Sequence, residues 1–318
     1  PALAEARTVY VTPDGSLGLV NLVALPSSRG RYLAETGPTL QLLTAERDIL
    51  ADEAPSGRGL LVAGDPDFLR SPSSAPPAGN TASSGPAARA AGERDCAVPP
   101  TLELRRLPHL AREVAEVAAL WRTLAPGEGE ALRLSRREAT EDAVRRLAPG
   151  RRILHLATHG FFLHEGCFPR EASPEPLLRS GLALAGAGRR AEGGAGPEDG
   201  VLTAEEAAGL DLAGVEWAVL SACDTGLGEV REGEGVLGLR RAFQVAGART
   251  VIMSLWPVDD ESAHLFMRAL YTARLASSHP TPEAVRHSSL EVLRSRRARG
   301  ESEHPFYWAA FVAAGRDR

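Results

Sequence analysis

Cysteine is nearly missing from this chain of 318 residues, with three in all: Cys96, Cys167 and Cys223. So low and odd a number excludes a disulfide framework and fits a reducing, cytoplasmic setting. Long apolar runs are missing too. None approaches the roughly 18 residues that cross a bilayer, and no secretory leader stands at the start, so no membrane contact is expected. Charge of one sign is not in excess: 36 basic against 41 acidic residues leave a net −5. That is too mild to argue for nucleic acid or an anionic surface. The Arg151-Arg152 pair and the arginines between Arg294 and Arg299 read as solvated or helix-end charge. No internal period betrays a repeat array.

Several reaction signatures are absent. There is no Gly-x-Ser-x-Gly elbow for a serine hydrolase and no Gly-x-x-x-x-Gly-Lys-Ser/Thr loop for a nucleotide hydrolase. Gly233-Glu234-Gly235 is too short and acidic to cradle phosphate. Six positions after Cys223, where a phosphatase needs arginine, stands Glu229. His155 and His159 are spaced His-x-x-x-His but lack the glutamate of zinc peptidases. On a strand their rings would lie about 13 Å apart. His155 therefore reads as a core histidine, and neither a metal nor a cofactor is implied. The first residue is Pro1, not Met, so the chain is expected to be part of something longer.

What is present suits a large α/β domain: 43% hydrophobic and 24% charged residues allow a sizeable core. Thr8–Thr12 and Leu17–Leu25 flank Pro13-Asp14-Gly15, which predicts an N-terminal β-hairpin. Thr39–Ala51 has helical spacing, and Gly59–Pro66 reads as a buried strand closed by a loop. Residues 69–100, rich in Pro, Ser, Ala and Gly, predict a disordered insertion, which takes in Cys96. A helix follows at Pro108–Leu124, then a short strand at Ala131–Leu134. A second helix is expected to open near Ser135 or Arg136 and to run through Thr140–Leu147. Ser180–Ala185 reads as a strand near the sheet edge, and residues 186–200 as a mobile loop. Thr203 with Glu206 makes a capping box. Beyond it lie a helix at Gly235–Ala246, a strand at Arg249–Leu255, helices at Asp260–Ala276 and Pro282–Arg296, and a last strand at Phe306–Ala313. Strands alternating with helices predict a parallel sheet covered on both faces.

Two stretches carry the chemistry. Arg152–Ala157 is an apolar strand that ends in Thr158-His159-Gly160. Glu216–Ser221 is another, ending in Ala222-Cys223-Asp224. Open α/β sheets put their ligands at the C-terminal ends of strands, so neighbouring strands would bring His159 and Cys223 to one edge. A free thiol, with a pKa of about 8.5, is mostly protonated at neutral pH. An imidazole beside it takes the proton and can return it to a leaving amine. Backbone N–H groups at Gly160 and Cys223 would serve the developing oxyanion. Buried structural cysteine is the competing reading, and it is preferred, with plain exposure, for Cys96 and Cys167. Asp259 and Asp260 either line a substrate pocket that favours a basic side chain or cap a helix. Asp224 either orients His159, shapes that pocket, or caps a turn. Arg189-Arg190 reads as a self-processing site or as solvated charge.

Thr158-His159-Gly160 and Ser221-Ala222-Cys223-Asp224-Thr225-Gly226 resemble the CHAT domain, which is grouped with caspases, separases and gingipains. The resemblance runs on through Glu234-Gly235, Arg240-Arg241-Ala242-Phe243, Ala246-Gly247-Ala248, Ser254–Asp260 and His304–Phe311, and back to Pro13-Asp14-Gly15. It implies a three-layer α/β/α caspase-like fold with a mostly parallel central sheet. Residues 1–57 would form the N-terminal hairpin and helix region, and 58–318 the peptidase domain. It further implies a cysteine endopeptidase acting on a protein substrate, with Cys223 as nucleophile, His159 as general base and acid, and Gly160 and Cys223 as the oxyanion hole. The alternative it leaves open is a non-catalytic or partner-activated interaction module. CHAT domains usually follow tetratricopeptide repeats, and none occur in this sequence.

Overall fold

The computed structural model describes residues 6–13, 15–27, 30–43, 46–49, 56–69, 104, 106–162, 176–178, 180–188, 199–222 and 234–316. In chain order the strands are β1 (Thr8–Val11), β2 (Thr39–Leu42), β3 (Leu60–Pro66), β4 (Ala131–Arg136), β5 (Ile153–Ala157), β6 (Gly160–Phe162), β7 (Ser180–Ala183), β8 (Val201–Thr203), β9 (Trp217–Ser221), β10 (Thr250–Ser254) and β11 (Phe311–Gly315). The α-helices are α1 (Leu33–Thr36), α2 (Pro108–Leu124), α3 (Glu141–Leu147), α4 (Ala204–Ala208), α5 (Glu234–Val245), α6 (Asp260–Leu275) and α7 (Thr281–Ala298).

Eight strands form one sheet in the order β1-β2-β11-β10-β9-β5-β3-β4. Only the β10–β11 pair is antiparallel; the other neighbours run parallel. The central strands β3, β5, β9 and β10 are buried at every residue. Their sequences lack polar alternation because both faces are covered. On one face Val62, Ile153, Trp217 and Ile252 pack with Val114 and Trp121 of α2, Phe266 and Leu270 of α6, and Leu293 of α7. On the other, Leu61, Leu154, Leu156, Leu220 and Val251 pack with Val144 of α3, Ala207 of α4 and Phe243 of α5. The result is a mixed α/β fold of three layers. A second sheet, β6-β7-β8, is antiparallel. It is stitched to the end of β5 by the Ala183 N–H, which donates to the His159 carbonyl at 2.9 Å, and by the Thr158 hydroxyl, which donates to the Ala183 carbonyl.

Local signals were decisive where capping chemistry is strong. Helix α2 spans Pro108–Leu124 as expected, with Pro in its first turn. The Thr203 hydroxyl accepts from the Glu206 N–H at 3.2 Å, and the Glu206 carboxylate accepts from the Thr203 N–H at 2.9 Å, a capping box. Elsewhere long-range pairing overrode them. Among the described residues no hairpin forms at the N-terminus: β1 pairs in parallel with β2, from Thr8↔Thr39 to Val11↔Leu42. Gly15–Leu19 and Leu22–Ala24 are 3-10 turns. Asn21 fixes the second of these by donating to the Ala309 carbonyl at 2.7 Å. The expected helix at Thr39–Ala51 is instead β2 and a 3-10 turn at Glu46–Ile49. Gln41 is drawn into the sheet by its bond to the Gly315 carbonyl at 3.0 Å.

Three boundaries move as well. Helix α3 opens at Glu141, capped by the Thr140 hydroxyl accepting from the Ala143 N–H at 3.1 Å. Ser135 and Arg136 close β4, and Arg136 turns the chain with φ +59. The last strand starts only at Phe311, because Pro305–Tyr307 is a 3-10 turn capped by His304. Ser180–Ala183 belongs to the small sheet, not to an edge of the large one. Of the expected insertion only Leu69 is described, and of the expected mobile loop only 186–188 and 199–200; the remainder lies outside the described residues. Among the described residues no helix is long and apolar enough to cross a membrane.

Candidate functional site

The two strands singled out by sequence are direct neighbours. β5 pairs in parallel with β9 from Ile153↔Trp217 to Ala157↔Ser221. The pairing runs one bond further, the Thr158 N–H donating to the Ser221 carbonyl at 3.2 Å. His159 stands two residues past Ala157. Its imidazole is 2% exposed and lies against Phe68, ring centroids 5.3 Å apart at a 46° tilt. Such packing restrains the ring's orientation.

Gly160 opens β6 opposite Leu182. The Ala183 to His159 bond beside that pair sets the ladder's alternation, which makes Gly160↔Leu182 a non-hydrogen-bonded pair. The Gly160 N–H therefore points away from β7. Cys223 and Asp224 lie outside the described residues, as do Cys96, Cys167, Arg189 and Arg190.

The remaining candidates have visible structural work. Asp259 caps α6, its Oδ1 accepting from the Ser262 N–H at 3.0 Å. Asp260, in the helix's first turn, meets His109 Nδ1 at 2.8 Å. Both carboxylates complement the helix's positive end. His155 is a core histidine, as its strand position predicts. It is fully buried, with Nδ1 3.0 Å from the Tyr271 hydroxyl and Nε2 2.9 Å from Glu113. Burial, with the Glu113 charge adding to it, pushes the Tyr271 phenol well above its ordinary value. Among the described residues no group of three or more His, Cys, Asp or Glu side chains could hold a metal ion.

One part of this rim was missed by sequence. The end of β3, next to β5 with Gly64 opposite Ala157, carries Asp65. Its carboxylate is 3% exposed, and it accepts from Arg106 Nε at 2.8 Å and Nη2 at 2.9 Å. Arg136 Nη1 lies 3.6 Å away. The Asp65 carboxylate, through hydrogen bonding and charge, raises the Arg106 pKa. Three residues on, Phe68 is the ring against His159. The signal was available: Gly64-Asp65 ends an apolar strand just as Ala157-Thr158-His159 does, with a small residue before a polar one.

A mostly parallel α/β sheet, with a histidine and glycine closing one strand beside a strand that leads into a cysteine, defines the class. The sequence from residue 1 to 316 matches the CHAT domain, and the chain belongs to that family. It is 36% identical over 84 residues to Tetratricopeptide repeat protein 28 of Homo sapiens, across 26% of this chain and 3% of the relative. With the Mus musculus protein of the same name it shares 33% over 117 residues, 37% of this chain and 4% of the other. It thus spans only a few hundredths of these relatives' length. Among solved structures it is similar to separase in the Saccharomyces cerevisiae separase–securin complex, with TM-score 0.49 and 10% identity over 94% of this chain and 15% of that one. It is also similar to the Arg-specific cysteine proteinase gingipain R, with TM-score 0.48 and 10% identity over 89% of this chain and 55% of that one.

Proposed function

We propose that this CHAT domain is a caspase-like cysteine endopeptidase whose dyad is Cys223 and His159. The observation that carries the reading is the register: Ala157 sits opposite Ser221, and each candidate stands two residues beyond its member of that pair. His159 takes the thiol proton, and the sulfur attacks the scissile carbonyl carbon. The imidazolium then protonates the leaving amine, and water hydrolyses the thioester through the same base. The Gly160 N–H, directed away from β7, supports an oxyanion-hole role, with the Cys223 N–H as its partner. Three cysteines in 318 residues support a reducing compartment such as the cytoplasm for this chemistry. Asp224, Asp259 and Asp260 would contribute to substrate binding; for Asp259 and Asp260 that role competes with their work at the start of α6.

A partner-activated form of the same reading is favoured by the relatives, which are named for tetratricopeptide repeats and extend far beyond the matched segment. Repeats of that kind would present substrate or activator to the domain.

The test is proteomic mapping of new N-termini after expression of wild type, Cys223→Ala and His159→Ala, alongside Cys223 alkylation by iodoacetamide at neutral pH. Cleavages that vanish in both variants, with alkylation that depends on His159, support the endopeptidase. His159-dependent alkylation without cleavage identifies a domain waiting for its partner. Cleavage that survives Cys223→Ala overturns the assignment.

A further inference from the structure

We propose that strand β7 is the spacer that positions His159 against the cysteine strand, and that Ser180 and Thr158 are the positioning residues at its two ends. The inference rests on the peptidase reading and deepens it by naming what holds the base in place.

The histidine end comes first. Ala183, the last residue of β7, grips two successive residues at the exit of β5. Its N–H donates to the His159 carbonyl at 2.9 Å, and its carbonyl accepts from the Thr158 hydroxyl. Thr158 is buried, and its own N–H is bonded to the Ser221 carbonyl of β9. Leu182, one residue earlier, is paired with Gly160, so β7 also sets where the Gly160 N–H points. The strand is wedged as well. A Cβ at Gly181 would lie 2.7 Å from Phe161 Cζ and 2.8 Å from the Leu202 carbonyl oxygen. A strand packed this closely transmits a push along its length.

The cysteine end comes second. Ser180, the first residue of β7, abuts α5, whose Glu234 is the first described residue beyond Ala222. Helix α5 is seated on the cysteine strand: Leu239 and Phe243 share one core with Leu220 of β9 and Met253 of β10. The contact point is Gly238, where a Cβ would lie 2.8 Å from Ser180 Oγ and 3.9 Å from Ser180 Cβ. Ser180 is fully buried, and among the described residues its hydroxyl has no hydrogen-bond partner. A buried hydroxyl without a partner lowers stability, so this oxygen acts by its bulk. Gly238 in turn gives up helix propensity and supplies the room that the oxygen fills. β7 thus reaches from the helix seated on β9 to the backbone of His159, three residue steps of about 3.4 Å each. Pushing Ser180 away from α5 carries Ala183, and with it His159, out of register with β9.

The experiment follows alkylation of Cys223 by iodoacetamide on the full chain between about pH 5 and 9. Peptide mapping locates the label, and circular dichroism checks the fold. The readout is the pH midpoint of the rate, which depends on the imidazole beside the thiol and which a merely structural strand would leave unmoved. Gly238→Ala is expected to raise the midpoint by about one pH unit, toward the His159→Ala value, and so to slow alkylation about tenfold at neutral pH. Adding Ser180→Ala removes the clashing oxygen and restores the wild-type midpoint. Thr158→Val keeps the shape, loses the hydroxyl and raises the midpoint likewise; Thr158→Ser brings it back. Should Gly238→Ala not fold, the Thr158 pair carries the test. A wild-type midpoint in folded Gly238→Ala or Thr158→Val overturns the proposal and leaves β7 a structural strand. So does a Gly238→Ala shift that Ser180→Ala fails to reverse. A wild-type midpoint in His159→Ala sinks the peptidase reading, and this proposal with it; a midpoint that moves with His159 but not with Gly238 or Thr158 sinks this proposal alone.

Discussion

At the scale of single residues, burial decides what an ionisable side chain does. His155 and His159 lie on the same strand and its exit, and both are nearly inaccessible. His155 is held in the core between Glu113 and Tyr271. Removing one member of such a pair strands a polar group in apolar packing. Glu113→Ala is therefore expected to destabilise the fold by about 3–5 kcal/mol, read by urea denaturation. The double replacement Glu113→Leu with His155→Phe should cost clearly less, because no charge is left behind. A double variant less stable than Glu113→Ala would show that the network contributes more than its own satisfaction. The contrast between Asp259 and Asp65 belongs to this scale too. Asp259 drew attention as an acidic residue past a strand end, yet its oxygen caps α6. Asp65 went unnoticed because its partner Arg106 is 41 positions away.

At the scale of elements, the candidate strands are anchored at the opposite end of the sheet by a charge clamp. Glu216, just before β9, accepts from Ser56 at 2.7 Å, from Arg152 at 2.9 Å and from Arg274 of α6 at 3.2 Å. Burial alone would raise its pKa. The Ser56 and Arg152 hydrogen bonds and the arginine charges outweigh that and hold it below its ordinary 4.5. A depressed folded-state value means that the contribution is complete above the unfolded value and is lost as pH falls through the folded one. Glu216→Gln should accordingly lower stability by about 1–3 kcal/mol at neutral pH, with the gap to wild type closing below about pH 4.5. Thermal melts across that range check it; a gap that widens in acid contradicts the clamp. Close approach of elements gives a second expectation. A Cβ at Gly64 would lie 2.6 Å from the Ala157 carbonyl oxygen and 2.6 Å from Val114 Cγ2. Gly64→Ala is thus expected to cost about 1–3 kcal/mol as an overpacking change, visible as a lower denaturation midpoint.

On the scale of the whole molecule, segments far apart in the chain meet at one side of the sheet. β1 and β2 come from the first 42 residues and lie beside β11, which ends at Gly315. The Asn21 and Gln41 side chains bond to the carbonyls of Ala309 and Gly315. Deleting residues 1–56 would uncover β11 and leave its edge unpaired. The truncated chain should lose its near-ultraviolet circular dichroism and elute as aggregate in gel filtration. A folded monomer from that deletion would show that the first two strands are accessory to the core.

The amino-acid sequence alone determined the features that depend on neighbours within a few residues. These are the buried runs of β3, β5, β9 and β10, the capping box at Thr203, the extent of α2, and the polar exit from β5 at Thr158-His159. Tertiary structure decided what those runs meet. It gave β1 a parallel partner in place of a hairpin, turned β11 against its neighbour β10, and brought Arg106 onto Asp65. These outcomes turn on contacts such as Asn21 with Ala309, 288 positions apart. Their favourable energy exists only once distant segments have been brought together at the cost of chain entropy, so no short window of sequence contains it.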